Sequence, residues 1–185
     1  KSIPRNISID TPIFDHDYQV YMDHTQLTQV LLNLIINAKD AIDGKQDGHI
    51  SIDTQTISVD RTIRRRYLLP SLGKYVKIDI ADNGCGMSNE ILPKIFDPFF
   101  TTKEKGTNKG IGLGLSITYT IIKNSGGGIQ VQSEEGKGSR FSILLPVSRT
   151  KGKPEQDSQR PLTEERPQKA RVLLVDDEDM LRDIG

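Results

Sequence analysis

The sequence predicts a two-layer α/β (α+β) sandwich, in which a mixed, mostly antiparallel sheet is covered on one face by helices. Three observations predict it: a long amphipathic helix pattern near the start, strand patterns that alternate with period two, and glycine-containing turns that join strands into hairpins. With 185 residues the chain can form one well-buried domain and some additional sequence, but not two full-sized domains.

The strongest helix pattern begins at Asp23 and ends near Gly44. Asp23 is a good N-cap residue, and Gln26 follows three residues later, in the place that a capping box uses. Most of the helix surface is apolar. The remaining polar stripe consists of Gln26, Gln29, Asn33, Asn37 and Asp40. A polar stripe on a largely buried helix requires partners such as water, a metal or a ligand.

Two strands are predicted next, over residues 50–59 and 75–81. The alternation of the second strand puts Asp82 in phase with its apolar side, where a carboxylate is either a turn former or the floor of a pocket. The connection between the strands contains Arg61, Arg64, Arg65 and Arg66. We interpret it as a solvated loop or short helix rather than a polyanion site.

A second helix is predicted over residues 113–125, followed by a hairpin of strands over 129–133 and 140–145. Ahead of that helix, residues 101–110 contain no core-forming side chain, so we expect this segment to be mobile. Three of the five phenylalanines lie just before it, in the run IFDPFF, and are expected to anchor its base. An anchored mobile segment is how a lid is built.

Composition excludes several classes of protein. Lysine and arginine total 25, as do aspartate and glutamate, so no net charge attracts nucleic acid or an anionic membrane. No apolar run approaches the roughly 20 residues that span a bilayer. Cys85 is the single cysteine, which excludes an internal disulfide framework and fits a reducing compartment. We therefore expect a cytoplasmic location for this part of the chain, with membrane anchoring of the parent protein left open.

The chain divides by composition into three parts. Residues 1–147 carry the helix and strand patterns, and residues 148–169 contain too little apolar surface to fold, so we expect a flexible linker there. Residues 170–185 begin a new apolar run that ends in acidic residues. They are expected to be the truncated start of a second domain.

Asn33 and Asn37 lie four residues apart, so their amide oxygens project from neighbouring turns of one helix face. Neutral oxygen ligands suit Mg²⁺, which takes one or two protein oxygens and fills its octahedron with water and phosphate. Alone, two asparagines on a helix are more often simply solvated.

The run DNGCGM, residues 82–87, places a carboxylate directly before a turn with two glycines. Asp82 can accept a hydrogen bond from an exocyclic amine such as that of adenine, while Gly84 and Gly86 let a ring lie close to the backbone. An isolated DNG sequence is also an ordinary turn.

The run KGIGLGLSI, residues 109–117, puts Gly110, Gly112 and Gly114 at the start of the second helix. Free backbone amides at a helix start bind phosphate, and glycine removes the side chains that would block its approach. The strand that a dinucleotide-binding fold requires before such a turn is missing. The alternative to a phosphate site is a flexible hinge.

In this order and spacing, the paired-asparagine helix, the DNG turn, the phenylalanine run, the polar segment and the glycine turn resemble the N, first glycine, F and second glycine boxes of histidine kinases. These kinases belong to the ATPase superfamily that includes gyrase, heat-shock chaperone and mismatch-repair ATPases. The resemblance covers roughly residues 23–146 and is highly specific as a set. It implies the Bergerat fold, with ATP held between the helical layer and the sheet.

The resemblance also implies roles for single residues. Asn37 would ligate Mg²⁺ with Asn33 assisting, and Asp82 would hold the adenine amine. Where many members carry a lysine, this chain has Asp40, so Lys103, Lys105 or Lys109 of the lid would have to neutralise phosphate charge. The implied ATP-binding residues are Asn33, Asn37, Asp40, Asp82, Gly84, Gly86, Lys103, Lys109, Gly110, Ile111, Gly112, Leu113, Gly114 and Leu115.

The run VLLVDDED, residues 172–179, resembles the first strand of a response-regulator receiver domain. In this resemblance Asp176 and Asp177 match the acidic pair that binds Mg²⁺ there, and the parent protein is a hybrid kinase and a phosphoprotein. We expect the phosphoacceptor aspartate to lie beyond Gly185. Without the kinase context, the same run is a buried strand with an acidic end.

The resemblance predicts that the ATP γ-phosphoryl group is transferred to a histidine. That histidine would lie on a helical dimerisation and phosphotransfer domain of the same parent protein. The parent protein is expected to be a homodimer and to act on a receiver domain or response regulator. The acceptor is expected outside this chain, because His16, His24 and His49 lie in no such motif. One alternative is an ATP hydrolase of the same superfamily, but there a glutamate occupies the position of Asn33, and a neutral amide is no general base. The other alternative is a non-catalytic domain that senses nucleotide.

Overall fold

A computed structural model of the chain describes residues 6–11, 19–20, 22–103 and 111–148. The chain divides into two units, Lys1–Thr150 and Lys151–Gly185, and the second unit lies wholly outside the described residues. The described elements are β1 (Ile7–Asp10), α1 (His24–Ile42), β2 (Gly48–Val59), α2 (Arg61–Tyr67), β3 (Gly73–Asp82), a 3-10 turn (Leu92–Lys94), α3 (Gly114–Asn124), β4 (Gly128–Glu134) and β5 (Gly138–Pro146).

The strands form one sheet in the order β1-β2-β3-β5-β4. Strand β1 pairs with β2 in parallel, and the other three pairs are antiparallel. The sheet is therefore mixed and mostly antiparallel, which confirms the predicted class. In the register, Asp82 at the end of β3 lies between Ile50 of β2 and Ser139 of β5.

Helix α1 forms where its pattern predicts. The Asp23 carboxylate caps it by accepting a hydrogen bond from the Gln26 backbone N–H at 3.0 Å. Its buried residues repeat every four positions, so they form one stripe that faces the sheet. These residues are Val30, Leu34, Ala38 and Ile42.

The main core lies between helices α1 and α3 and one face of the sheet. Alternate residues of β3 point into it, and α3 adds Ile121 and Ile122. The β3 residues in this core are Val76, Ile78 and Ile80. Asp82 continues their alternation, so the prediction that it lies on the apolar side, at the end of the row, is confirmed by the register.

Helix α2 settles the choice left open between a loop and a short helix. Its four arginines are exposed, and Asp60 caps it by accepting from the Ile63 N–H at 2.7 Å. Lys123 of α3 donates to the Tyr67 and Leu68 carbonyl oxygens, at 2.9 and 3.1 Å, where α2 ends.

A second, small apolar cluster holds Val59, Leu69, Tyr75 and Leu144. Alternation places Tyr75 and Leu144 on the sheet face opposite the main core.

Strand β1 was not predicted from the sequence. It has only four residues, and its partner in β2 follows about forty residues later, so no local pattern indicates the pairing.

Within the described ranges, no helix is both long and apolar enough to cross a bilayer.

Candidate functional site

One cavity of about 530 Å³ lies between α1, the end of β3, the phenylalanine run and the start of α3, a volume in the range of small-molecule sites. Most of the predicted site residues meet in its lining. They are Asn37, Asp40, Asp82, Gly86, Lys103, Ile111, Gly112, Leu113, Gly114 and Leu115. Asn33 and Gly84 lie outside the lining, and Lys109 and Gly110 lie outside the described residues.

The turn that follows β3, residues 82–87, packs directly on the end of α1. A Cβ atom at Gly84 would lie 2.7 Å from the backbone of Ala41, so only glycine fits there. The Cys85 N–H donates to the Ala41 carbonyl at 2.8 Å. Gly84 thus serves contact with a helix, whereas the sequence had suggested room for a ligand ring.

The other side of the same turn packs on the β4–β5 hairpin. Gly86 has a φ of 67°, and a Cβ atom there would overlap the Glu134 carbonyl oxygen. The Gly136 N–H donates to the Cys85 carbonyl at 2.6 Å, and the Met87 N–H donates to Ser133 Oγ at 2.8 Å. The turn is therefore held from both sides by backbone contacts.

Asn83 and Lys45 complete the support of this turn. The Asn83 amide oxygen accepts from the His49 N–H at 2.9 Å, and its amide nitrogen donates to the Asp47 carbonyl at 2.8 Å. The Lys45 ammonium group donates to the Asn83 and Gly84 carbonyls. Asn83 is engaged with protein and lies outside the lining, so Asp82 is the carboxylate that this motif presents to the cavity.

Asp82 is a half-buried carboxylate. Burial raises the pKa of Asp82 above its ordinary value, although hydrogen bonds from the Gly84 and Ser139 backbone N–H groups and the charge of Lys45 oppose the rise. One carboxylate oxygen accepts the Gly84 N–H at 2.8 Å. A half-buried carboxylate that lines a cavity and keeps lone pairs free is suited to accept a hydrogen bond from a ligand.

The two asparagines of α1 are placed differently. Asn37 lines the cavity, whereas the Asn33 amide nitrogen donates to the Gly114 carbonyl at 3.2 Å and to Thr118 Oγ1 at 3.4 Å. Asn33 therefore ties α1 to the start of α3. Its predicted role beside a metal remains a prediction.

Asp40 forms an ion pair across the cavity. Its Oδ2 lies 2.5 Å from Lys103 Nζ, and its Oδ1 lies 3.5 Å from Lys39 Nζ. Burial alone would raise the pKa of Asp40, but the hydrogen bond and charge of Lys103, with help from Lys39, outweigh it and the net pKa is lowered. The carboxylate at this position is thus held ionised.

The glycine turn before α3 is joined to the phenylalanine run. The Phe99 N–H donates to the Gly112 carbonyl at 3.0 Å, and a Cβ atom at Gly112, where φ is 74°, would lie 2.5 Å from the Phe99 carbonyl carbon. Among the described residues, no side chain caps the start of α3. Its first backbone N–H groups are therefore available to an anion in the cavity.

The cavity has an apolar part that sequence reasoning missed. It is lined by Ile36, Met87, Ile91, Ile95, Phe100 and Phe141. Phe141 had a local signal, because it alternates in phase with Ser139, which faces Asp82 across the β3–β5 pair. Ile36 lies on α1 but outside its buried stripe. Met87, Ile91, Ile95 and Phe100 lie in irregular segments, where no periodicity shows which way a side chain points.

The arrangement combines an apolar surface, a carboxylate acceptor, an uncapped helix start and a lysine. Such a set suits a flat heterocycle that donates a hydrogen bond and carries an anionic tail. Among the described residues no group of three or more His, Cys, Asp or Glu side chains could hold a metal ion. A metal here would depend on amide oxygens, ligand oxygens and water.

Comparison with known proteins agrees with this geometry. Residues 22–149 match the family model described as histidine kinase-, DNA gyrase B- and HSP90-like ATPase. The sensor kinase CckA of Brucella abortus is 40% identical over 172 residues, covering 89% of this chain and 18% of the relative. The sensor histidine kinase ZraS of Escherichia coli K12 is 41% identical over 137 residues, covering 74% of this chain and 25% of the relative. The chain therefore spans about a quarter or less of these relatives.

Solved structures of histidine kinases also resemble this chain. The nucleotide-free catalytic domain of histidine kinase ThkA superposes with a TM-score of 0.55 at 33% identity, covering 76% of this chain and 79% of that domain. Full-length ShkA in complex with AMPPNP superposes with a TM-score of 0.58 at 25% identity, covering 77% of this chain and 26% of ShkA.

The fold, the cavity and these similarities lead to one assignment. The chain belongs to the family of histidine kinase-, gyrase B- and HSP90-like ATPases, in which it is the catalytic ATP-binding domain of a sensor histidine kinase.

Proposed function

We propose that this domain binds ATP with Mg²⁺ and transfers the γ-phosphoryl group to a histidine on a helical dimerisation domain of the same parent protein. The observation that carries the proposal is the shared lining of one cavity by Asn37, Asp82, Lys103 and the uncapped start of α3. A phosphoryl transfer needs little covalent chemistry from the protein, so positioning and charge neutralisation are what such a lining has to supply.

The adenine would lie at the turn formed by residues 82–87. Its exocyclic amine would donate to the Asp82 carboxylate, while its ring packs on the apolar side chains of Met87, Ile91 and Phe141. Burial strengthens this hydrogen bond because water competes poorly for the carboxylate. The turn itself is rigidly supported by α1 and by the β4–β5 hairpin, so the acceptor is positioned before the ligand arrives.

The phosphates would lie against the start of α3. The backbone N–H groups of residues 114–116 have no helical partner, and the helix dipole favours negative charge at this end. Lys103 adds a cation to the same lining. Lys109 and Gly110, which the sequence also assigns to the phosphates, lie outside the described residues and stay predictions.

Mg²⁺ fits the residues present. Asn37 offers a neutral amide oxygen in the cavity, and Asn33 lies one turn earlier beside Gly114. Mg²⁺ usually takes one or two protein oxygens in nucleotide sites and completes its octahedron with phosphate and water, so an acidic cluster is not required. When bound, the ion would neutralise charge that develops on the phosphates.

Kinase chemistry is favoured over rapid ATP hydrolysis. The described lining contains two carboxylates, Asp82 at the adenine turn and Asp40, which is ion-paired with Lys103. Neither stands as a free base beside the start of α3, and the position where hydrolases carry a glutamate is Asn33. A neutral amide cannot activate water. The acceptor would therefore be a histidine delivered by a partner domain.

The flanking parts of the chain support a hybrid kinase. The CckA relative aligns with 89% of this chain, more than residues 1–149 provide, so the similarity continues beyond the family match. We assign residues 148–169 to a linker and 170–185 to the start of a receiver domain with Asp176 and Asp177 as its acidic pair. The parent would act as a homodimer and pass its phosphate to a receiver domain or response regulator.

Removing either predicted ligand contact weakens nucleotide binding. We expect Asn37→Ala and Asp82→Ala each to reduce affinity for MgATP by about tenfold or more, since each removes a charge-assisted or metal contact. Titration calorimetry measures this. Asp53→Ala is the control, because Asp53 is exposed on β2 and outside the cavity lining. Unchanged affinity in both cavity variants would contradict the proposed site.

Adenosine binding should weaken on acidification. The raised pKa of Asp82 means that its carboxyl takes up a proton at a higher pH than an ordinary aspartate, and the protonated group accepts a ligand hydrogen bond less well. Affinity is full above the folded-state pKa and lost as the pH falls through it. We expect this acid-side loss in fluorescence titrations of the wild type and its absence in Asp82→Asn. The same pH profile in both would refute the assignment.

Phosphotransfer should require the parent's histidine domain. Incubated with γ-labelled ATP, the 185-residue chain should neither label itself nor release phosphate quickly, because its histidines are in no acceptor motif and Asn33 replaces the catalytic glutamate. Adding the separately expressed helical domain should put the label on its histidine. Rapid phosphate release by the chain alone would indicate a hydrolase. Binding without either outcome would indicate a nucleotide-sensing domain.

A further inference from the structure

Asp40 and Lys103 form an ion pair within the lining of the cavity. Lys103 Nζ lies 2.5 Å from Asp40 Oδ2, and both residues line the cavity. The Lys103 side chain is 37% exposed and the Asp40 side chain 33%. The ion pair is therefore partly shielded from water and is stronger than a pair on an open surface. The lysine that could pair with an anionic ligand is thus already paired with the Asp40 carboxylate.

Asp40 has a second cation beside it. Lys39 Nζ lies 3.5 Å from Asp40 Oδ1, on the carboxylate oxygen that Lys103 does not occupy. The carboxylate therefore keeps one positive neighbour if Lys103 leaves. Without Lys39, release of Lys103 would leave an uncompensated charge, which is costly in a partly buried site.

The two partners differ in how far they can move. Asp40 is fixed on α1, because Ala38 and Ile42 on the same helix are buried against the core. Lys103 carries its ammonium group on a flexible four-carbon stem. Its backbone N–H donates to Thr101 Oγ1 at 3.2 Å, and both residues line the cavity, so the ammonium group can change partners within it.

We propose that Asp40 competes with the nucleotide phosphates for Lys103, so that Lys103 exchanges a carboxylate for a phosphate partner when a phosphorylated nucleotide binds. The inference rests on the proposed ATP site and names the regulation of that site. Asp40 remains paired with Lys39 after the exchange. The cost of the exchange falls on every ligand that carries phosphates and on none that lacks them.

Asp40 is therefore a specificity-determining residue that lowers the preference of the site for phosphorylated over unphosphorylated nucleosides. Two effects act in the same direction. The carboxylate holds Lys103 away from the phosphates, and its own charge repels them. Neither effect should change the affinity for adenosine, because adenosine carries no charge and would be held by Asp82 at the turn of residues 82–87.

The test compares ATP, ADP and adenosine by titration calorimetry on the 185-residue chain at fixed Mg²⁺. We expect Asp40→Asn to tighten ATP and ADP binding by about fivefold, the upper range for a partly exposed ion pair, and to leave adenosine binding unchanged. Asp43→Asn is the matched control, because it removes the same charge three residues later, at the exposed C-cap of α1 outside the cavity. It should change none of the three affinities.

Lys103→Met tests the other partner. It should weaken ATP and ADP binding by about tenfold and spare adenosine, because a phosphate contact is lost while Asp40 stays charged. Lys94→Met, which removes an exposed lysine outside the cavity, is its control. Circular dichroism confirms that each variant is folded.

The outcomes separate this inference from the function on which it rests. If the wild type binds ATP and Asp40→Asn binds it equally or less tightly, the competition is refuted and the ATP site stands. A change of adenosine affinity in Asp40→Asn would also refute it, because the effect would not act through phosphates. A wild type that binds neither ATP nor adenosine would refute the proposed function itself.

Discussion

The candidate site depends on the close packing of one turn, residues 82–87, between helix α1 and the β4–β5 hairpin. Gly84 leaves no room for a side chain against Ala41, and Gly86 leaves none against Glu134. Backbone hydrogen bonds from Cys85 to Ala41 and from Gly136 to Cys85 fix the distance on both sides. This contact sets where Asp82 stands relative to the helix that carries Asn37 and Asp40, so a side chain at either glycine would displace Asp82 from the rest of the site.

The charged and polar groups of the cavity lie at the start of α3, at Lys103 and at the end of β3. The uncapped start of α3 offers backbone donors, Lys103 contributes a cation, and Asp82 is a carboxylate whose pKa burial raises. A ligand with a hydrogen-bond donor at one end and negative charge at the other finds partners for both ends. The Asp82 carboxylate accepts from the donor, and Lys103 and the backbone N–H groups of α3 face the negative charge. Because part of the lining is apolar, the ligand's ring gains by leaving water while its polar ends keep their partners.

Much of the fold was predictable because its signals are local. The cap at Asp23, the periodicity of α1 and the phase of Asp82 in β3 each depend on a few neighbouring residues, and the structure confirms them. Strand β1 was missed because it is short and pairs far along the chain. The motifs identified most of the polar and glycine residues of the cavity, but neither its apolar lining nor the partners of its charged groups. The Asp40–Lys103 pair joins residues 63 positions apart and follows from tertiary packing alone.

The location of the nucleotide site can be tested by amide chemical shifts of the isotope-labelled 185-residue chain, recorded during titration with a non-hydrolysable ATP analogue and Mg²⁺. We expect the shift changes to concentrate at the turn of residues 82–87, at Asn37 and Asp40 on α1, and at residues 111–116, while the exposed arginine helix α2 and the sheet face behind it stay unchanged. Shift changes that concentrate on α2, or that spare the turn containing Cys85, would refute a nucleotide site in this cavity.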